Sequence, residues 1–130
     1  MQPGALRALE FERIVEAVKT FALTPMGAER LTRLSPAIDS QEVRELLSHT
    51  TETTRYLAAN AEFPLRASDE LPDVLAALAV DGRALEPLRL LALVAFLDSV
   101  DETRASIRRA SGLFPRLEAI GDGAASFKSE

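Results

Sequence analysis

The chain has 130 residues, 15 Lys and Arg against 20 Asp and Glu, a net charge of −5 and no cysteine. That length fits one domain, and the lack of cysteine excludes disulfides and thiolate metal sites and suits a reducing compartment such as a bacterial cytoplasm. The acidic balance argues against an unspecific nucleic-acid module or adhesion to anionic membranes, and six Phe, one Tyr and no Trp give no stacking platform for single strands.

The first predicted element is an amphipathic helix. Leu6, Phe11, Ile14, Val15, Val18 and Phe21 recur at helical spacing, and the pattern ends near Ala22. Thr24 can cap a second, short helix with Pro25 at its first position, running through Leu31 and Leu34 until Ser35-Pro36 stops it. Asp39 and Glu42 fit a capping arrangement for a third helix, which runs to about Ala59 and ends at Asn60. A loop over 61–69 is expected to fold Phe63 and Leu65 back onto the bundle. The fourth helix covers Leu71 to about Val80, with Asp81-Gly82 as its closing turn.

Glu86-Pro87 opens the longest helix, which runs to about Ala110 and spans ~37 Å at the usual rise. Ser111-Gly112 ends it, and Phe114-Pro115 begins a last short helix through Leu117 and Ile120. Residues 1–120 then form one helical domain, and 121–130 read as a small, flexible tail. No alternating run of strand length is present. The fold class is all-α: a bundle of five to six helices with one long helix over about 86–110.

The long helix contains eight consecutive apolar residues, Leu90 to Leu97. A helix that is apolar all round needs cover on every side. This segment is therefore expected at the centre of the bundle or beneath a partner. Leu90, Leu93, Val94, Phe96 and Leu97 are the candidate interface residues. The run falls well short of the roughly 20 residues that cross a bilayer, and Glu86, Arg89 and Asp98 flank it. The N-terminus has no apolar signal core, so the expectation is a soluble cytoplasmic chain with no membrane partner.

No constellation of catalytic, cofactor-binding or metal-ligating residues emerges. His49, the one histidine, has no partner at metal spacing and reads as a solvated surface residue. Ser48, Thr50, Thr51, Thr53 and Thr54 read as a small-residue packing face, since a nucleophile needs an oriented base. Asp98, Asp101 and Glu102 lie on one helix with no loop to wrap a cation. The six glycines form no phosphate-binding turn. Arg104, Arg108 and Arg109 are the basic cluster and a secondary nucleic-acid candidate, with Asp101 and Glu102 placed to neutralise them at i, i+3 and i+4.

Six stretches taken in order carry a family resemblance: Leu9-Glu10-Phe11, Thr24-Pro25-Met26-Gly27, Leu34-Ser35-Pro36, Thr51-Glu52, Leu71-Pro72-Asp73-Val74 and Asp81-Gly82-Arg83-Ala84-Leu85. From about Ala5 to Phe114 the chain resembles the N-terminal region of the MutS-II, or endonuclease MutS, proteins, the second bacterial MutS branch. The resemblance implies a dimerising cytoplasmic ATPase that uses ATP and Mg and carries a C-terminal Smr nuclease domain. It also implies a role in suppressing homologous recombination through branched DNA, in rescuing collided ribosomes, or in both. The ATP and nuclease sites of that family lie beyond residue 130, so no catalytic residue transfers here and the covered chain is expected to be non-enzymatic. It would be the opening helices of the family's core and lever region, with a homodimer contact through the long helix. The rival expectation is a free-standing helical adaptor with a groove for a partner helix.

Overall fold

Caps and prolines set where the helices begin. The computed structural model describes residues 9–60, 62–110 and 112–124. Among them are six helices: α1 (Phe11–Lys19), α2 (Pro25–Thr32), α3 (Ser40–Asn60), α4 (Leu71–Leu78), α5 (Pro87–Arg109) and α6 (Pro115–Asp122). The Thr24 hydroxyl accepts the Gly27 N–H at 3.0 Å and starts α2. Asp39 Oδ1 accepts the N–H groups of Gln41 and Glu42, both at 2.9 Å, and starts α3. Proline stands in the first turn of α2, α4, α5 and α6, where its missing N–H has no intrahelical partner to lose. Gly82 and Gly112 take positive φ in the turns before α5 and α6, a region where a Cβ is strained.

The all-α expectation holds, and the long helix runs within a residue of its expected ends. Helix boundaries differ slightly elsewhere: α2 ends at Thr32 and α4 at Leu78. The start of the expected tail is helical, because Gly121 and Asp122 belong to α6. Residues 125–130 lie outside the described residues, as does Leu6.

The helices pack in series. α1 lies on α2, α2 on α4, α4 on α5, α5 on α6, and α6 on α3. The main core sits where α3, α5 and α6 meet. Tyr56, Ile107, Phe114 and Leu117 are buried there, with Phe63 and Ala110 packed against them. Tyr56 is wholly enclosed. Its ring stacks on Phe63 at 4.6 Å between centroids and meets the edge of Phe114 at 5.3 Å. Such ring pairs contribute about 0.5–1.5 kcal/mol each beyond their burial. The Tyr56 hydroxyl shares a 2.5 Å hydrogen bond with Ser106 Oγ, so the enclosed polar tip has a partner.

The loop after α3 folds back as expected, with Phe63 and Leu65 half-buried. Ser99 fastens it to α5: its Oγ accepts the Arg66 N–H at 3.0 Å and lies 3.0 Å from the Arg66 carbonyl. A second stripe, Leu71, Val74 and Ala77, buries α4 at three-residue steps.

Helix α1 departs from its expected amphipathic burial. Val15 is buried, but Ile14 and Val18 are exposed and Phe21 is 81% exposed. The reason is geometric. Among the described helices only α2 packs on α1, so most of the apolar stripe has no described helix to lie against.

Candidate functional site

The apolar run does not occupy the centre of the bundle. Successive residues turn by about 100° around a helix. Leu88, Leu91 and Val94 therefore fall on one side of α5, with Leu90 at its edge. These four are 78%, 66%, 52% and 45% exposed, in that order. Of the expected interface residues, Leu90 and Val94 belong to this outer stripe, whereas Leu93, Phe96 and Leu97 are half-buried on other faces. The correction has a plain cause. Among the described helices the backbones of α4 and α6 approach α5, and α3 reaches it through Tyr56 only near Ser106 and Ile107, so the apolar first half of α5 is left with too few neighbours to enclose it.

The arginine cluster is dispersed by its partners. Arg104, largely buried, lies 3.6 Å from the Asp101 carboxylate and donates through Nε to the Gly121 carbonyl at 2.9 Å. Arg108 pairs with Asp122 across α5 and α6 at 2.7 Å. The expected i, i+3 pairing thus holds for Arg104. Glu102, expected to neutralise the cluster, instead faces Arg66 at 3.7 Å. Arg104 and Arg108 fasten α6 to α5, and Arg109 is exposed. The three do not form one basic surface.

His49 is exposed, as expected. The hydroxyl residues of α3 do not form one packing face, since Ser48 and Thr53 are half-buried and the other three are not. Ser48, Thr50 and Thr54 donate back to the carbonyls of Arg44, Leu46 and Thr50 within their own helix, at 2.7–2.9 Å, and Thr50, Thr51 and Thr54 are exposed. The carboxylates of Asp98, Asp101 and Glu102 also separate: Asp98 and Glu102 are exposed, and Asp101 is buried beside Arg104.

Two features were not located by the sequence. The first is Glu52, a buried carboxylate on α3. Its Oε1 accepts the N–H groups of Arg116 at 2.7 Å and Leu117 at 2.8 Å, the first turn of α6. No side chain next to α6 caps that end. Glu52 supplies the cap from another helix, and its negative charge lies at the positive end of the helix dipole. The second is an apolar groove of about 420 Å³ between the start of α2, the returning loop, α5 and α6, with Leu23, Met26, Phe63, Phe96, Ile107 and Ile120 among its lining. Spacing within α3 gives no sign that Glu52 would meet a helix more than sixty residues later. The groove likewise exists only after the loop has folded back.

No described helix is long and apolar enough to cross a membrane. Among the described residues no three His, Asp or Glu side chains gather as a metal site would need.

Most of this chain aligns with one stretch of a set of longer proteins. It is 29% identical over 122 residues to the endonuclease MutS2 of Thermotoga petrophila, which covers 90% of this chain and 16% of that protein. It is 33% identical over 95 residues to the endonuclease MutS2 of Geobacillus kaustophilus, covering 73% of this chain and 12% of that one. The Clostridium botulinum endonuclease MutS2 is 31% identical over 97 residues, covering 75% and 12%. The chain is MutS2-related. No family model matches it, and no solved structure matches it significantly. It spans about an eighth to a sixth of the length of these MutS2 relatives.

The stretches that carried the resemblance now have physical roles. Thr24 caps α2, and Glu52 caps α6. Leu71 and Val74 are buried on α4, and Gly82 makes the turn after it.

Proposed function

We propose that this chain is a non-catalytic helical scaffold region of a MutS2-like protein, and that it associates with a second copy through the outer stripe of α5. In the whole protein it would brace or transmit motion between an ATPase, which supplies ATP and Mg chemistry elsewhere, and the parts that face branched DNA or the ribosome. That protein would act in the cytoplasm in suppressing recombination, in rescuing collided ribosomes, or in both, with an Smr nuclease as its cutting part.

One observation carries the association: Leu88, Leu90, Leu91 and Val94 lie exposed together on a 23-residue helix. Contiguous exposed apolar surface of this type marks an interface. A twofold pairing would place the same stripe on both copies, the commonest geometry of homodimers. Burying the stripe would contribute about 25 cal/mol for each Å² of apolar surface removed from water.

Light scattering across a concentration series tests this reading. The wild-type chain is expected to rise from the mass of one chain to that of two, and Leu91→Glu is expected to stay at one. A wild-type chain that remains a monomer throughout contradicts it. The rival adaptor reading draws support from the apolar groove, and predicts a strict monomer that takes up a partner helix at Met26 and Phe96.

A further inference from the structure

A second cleft, separate from α5, opens between one face of α3 and the start of α6. Its volume is about 480 Å³, and Arg44, Ser48, Thr51, Glu52, Arg55 and Arg116 line it. Arg44, Ser48, Thr51 and Arg55 fall at i, i+4, i+7 and i+11 and so share one face of α3. Arg116 arrives from the first turn of α6.

The cleft gathers three guanidinium groups against one carboxylate, in a chain whose net charge is −5. That carboxylate is already committed. Glu52 Oε1 holds two backbone N–H groups of α6, and its Oε2 lies 3.8 Å from Arg116 Nη1. Arg44 donates to the carbonyl and hydroxyl of Ser40 at 3.0 and 3.4 Å. Neither Arg44 nor Arg55 has an ion-pair partner among the described residues. Glu52 offsets Arg116, which leaves Arg44 and Arg55 lining the cleft without a counter-charge, and like charges along one cleft favour the entry of an anion. Guanidinium groups are weakly hydrated, and their forked donors match phosphate oxygens. Donors that approach from two helices suit a tetrahedral oxyanion better than a planar carboxylate, and the Thr51 hydroxyl adds one more donor.

We propose that this cleft binds a phosphate group, held by Arg44, Arg55 and Arg116. The phosphate comes either from a free phosphate or from a nucleic-acid backbone; the chemistry of the contact is the same.

The test is an NMR titration of the 130-residue chain with sodium phosphate, with a short single-stranded DNA oligomer, and with sodium acetate at matched ionic strength. Phosphate is expected to give saturable shifts confined to the amides of residues 44–55 and 115–117. Arg44→Ala and Arg55→Ala should each weaken binding about tenfold, the loss of one charge-assisted hydrogen bond. Their melting temperature should stay unchanged, because both side chains lie outside the core. An oligomer that binds more tightly, with an affinity falling steeply with salt, identifies backbone phosphates as the source. An oligomer that binds no more tightly per phosphate identifies free phosphate. The proposal is overturned by shifts that fail to saturate, by shifts that persist in the double variant, or by acetate acting as strongly as phosphate.

Discussion

The two halves of α5 invert the usual relation between polarity and burial. From Leu88 to Leu97 the helix is almost wholly apolar, yet Leu88, Leu91 and Val94 are each more than half exposed. From Asp98 onward it is rich in charge, yet Ser99, Asp101, Ser106 and Ile107 are buried. The difference lies in the neighbours. The second half meets α6 and the α3 core, and its polar groups find partners there: Ser106 with Tyr56, Arg104 with Gly121, Arg108 with Asp122. The first half has apolar surface to spare and, among the described residues, too few helices to cover it. Polar groups that are paired can be buried at little cost, and apolar groups without a neighbour cannot be buried at all.

Substitutions can break this contrast, and the largest effect is expected in the polar corner. Tyr56→Ala removes a wholly enclosed ring, two aromatic contacts and the Ser106 hydrogen bond, and should destabilise the chain by about 3–5 kcal/mol in urea unfolding. Glu52→Ala leaves two N–H groups of α6 without their acceptor and should cost about 2–3 kcal/mol. Glu52→Gln keeps an acceptor oxygen and should cost about 1 kcal/mol, which separates capping from charge. Gly112→Ala forces a Cβ into a positive-φ turn and should cost about 1 kcal/mol, read as a lower melting temperature. Leu91→Ala, on the apolar half, should change the unfolding free energy of the monomer by less than about 0.5 kcal/mol, as at other exposed sites.

Much of the fold was legible because its signals are local. Thr24, Asp39 and the four helix-opening prolines act within a turn of where they stand, and six helices followed from them and from apolar spacing. The loop carrying Phe63 was readable because two large apolar groups beside a proline have few places to go but inward. What escaped depends on pairs distant in sequence. Glu52 looks like any helical carboxylate until α6 is placed on α3. Arg44 and Arg55 share a visible face, but Arg116 completes their cleft only after folding. The apolar run was legible as needing cover. Its failure to lie at the centre was not, because the number of neighbours a helix receives is a property of the whole packing.

The most direct measurement compares Leu91→Glu with Leu93→Glu by sedimentation and urea unfolding together. The two positions are two residues apart on α5, one on the outer stripe and one half-buried. Leu91→Glu should abolish association and leave the unfolding midpoint unchanged, whereas Leu93→Glu should lower the midpoint. Equal loss of stability in both, or a wild-type chain that never associates, contradicts the assignment of the outer stripe as an interface.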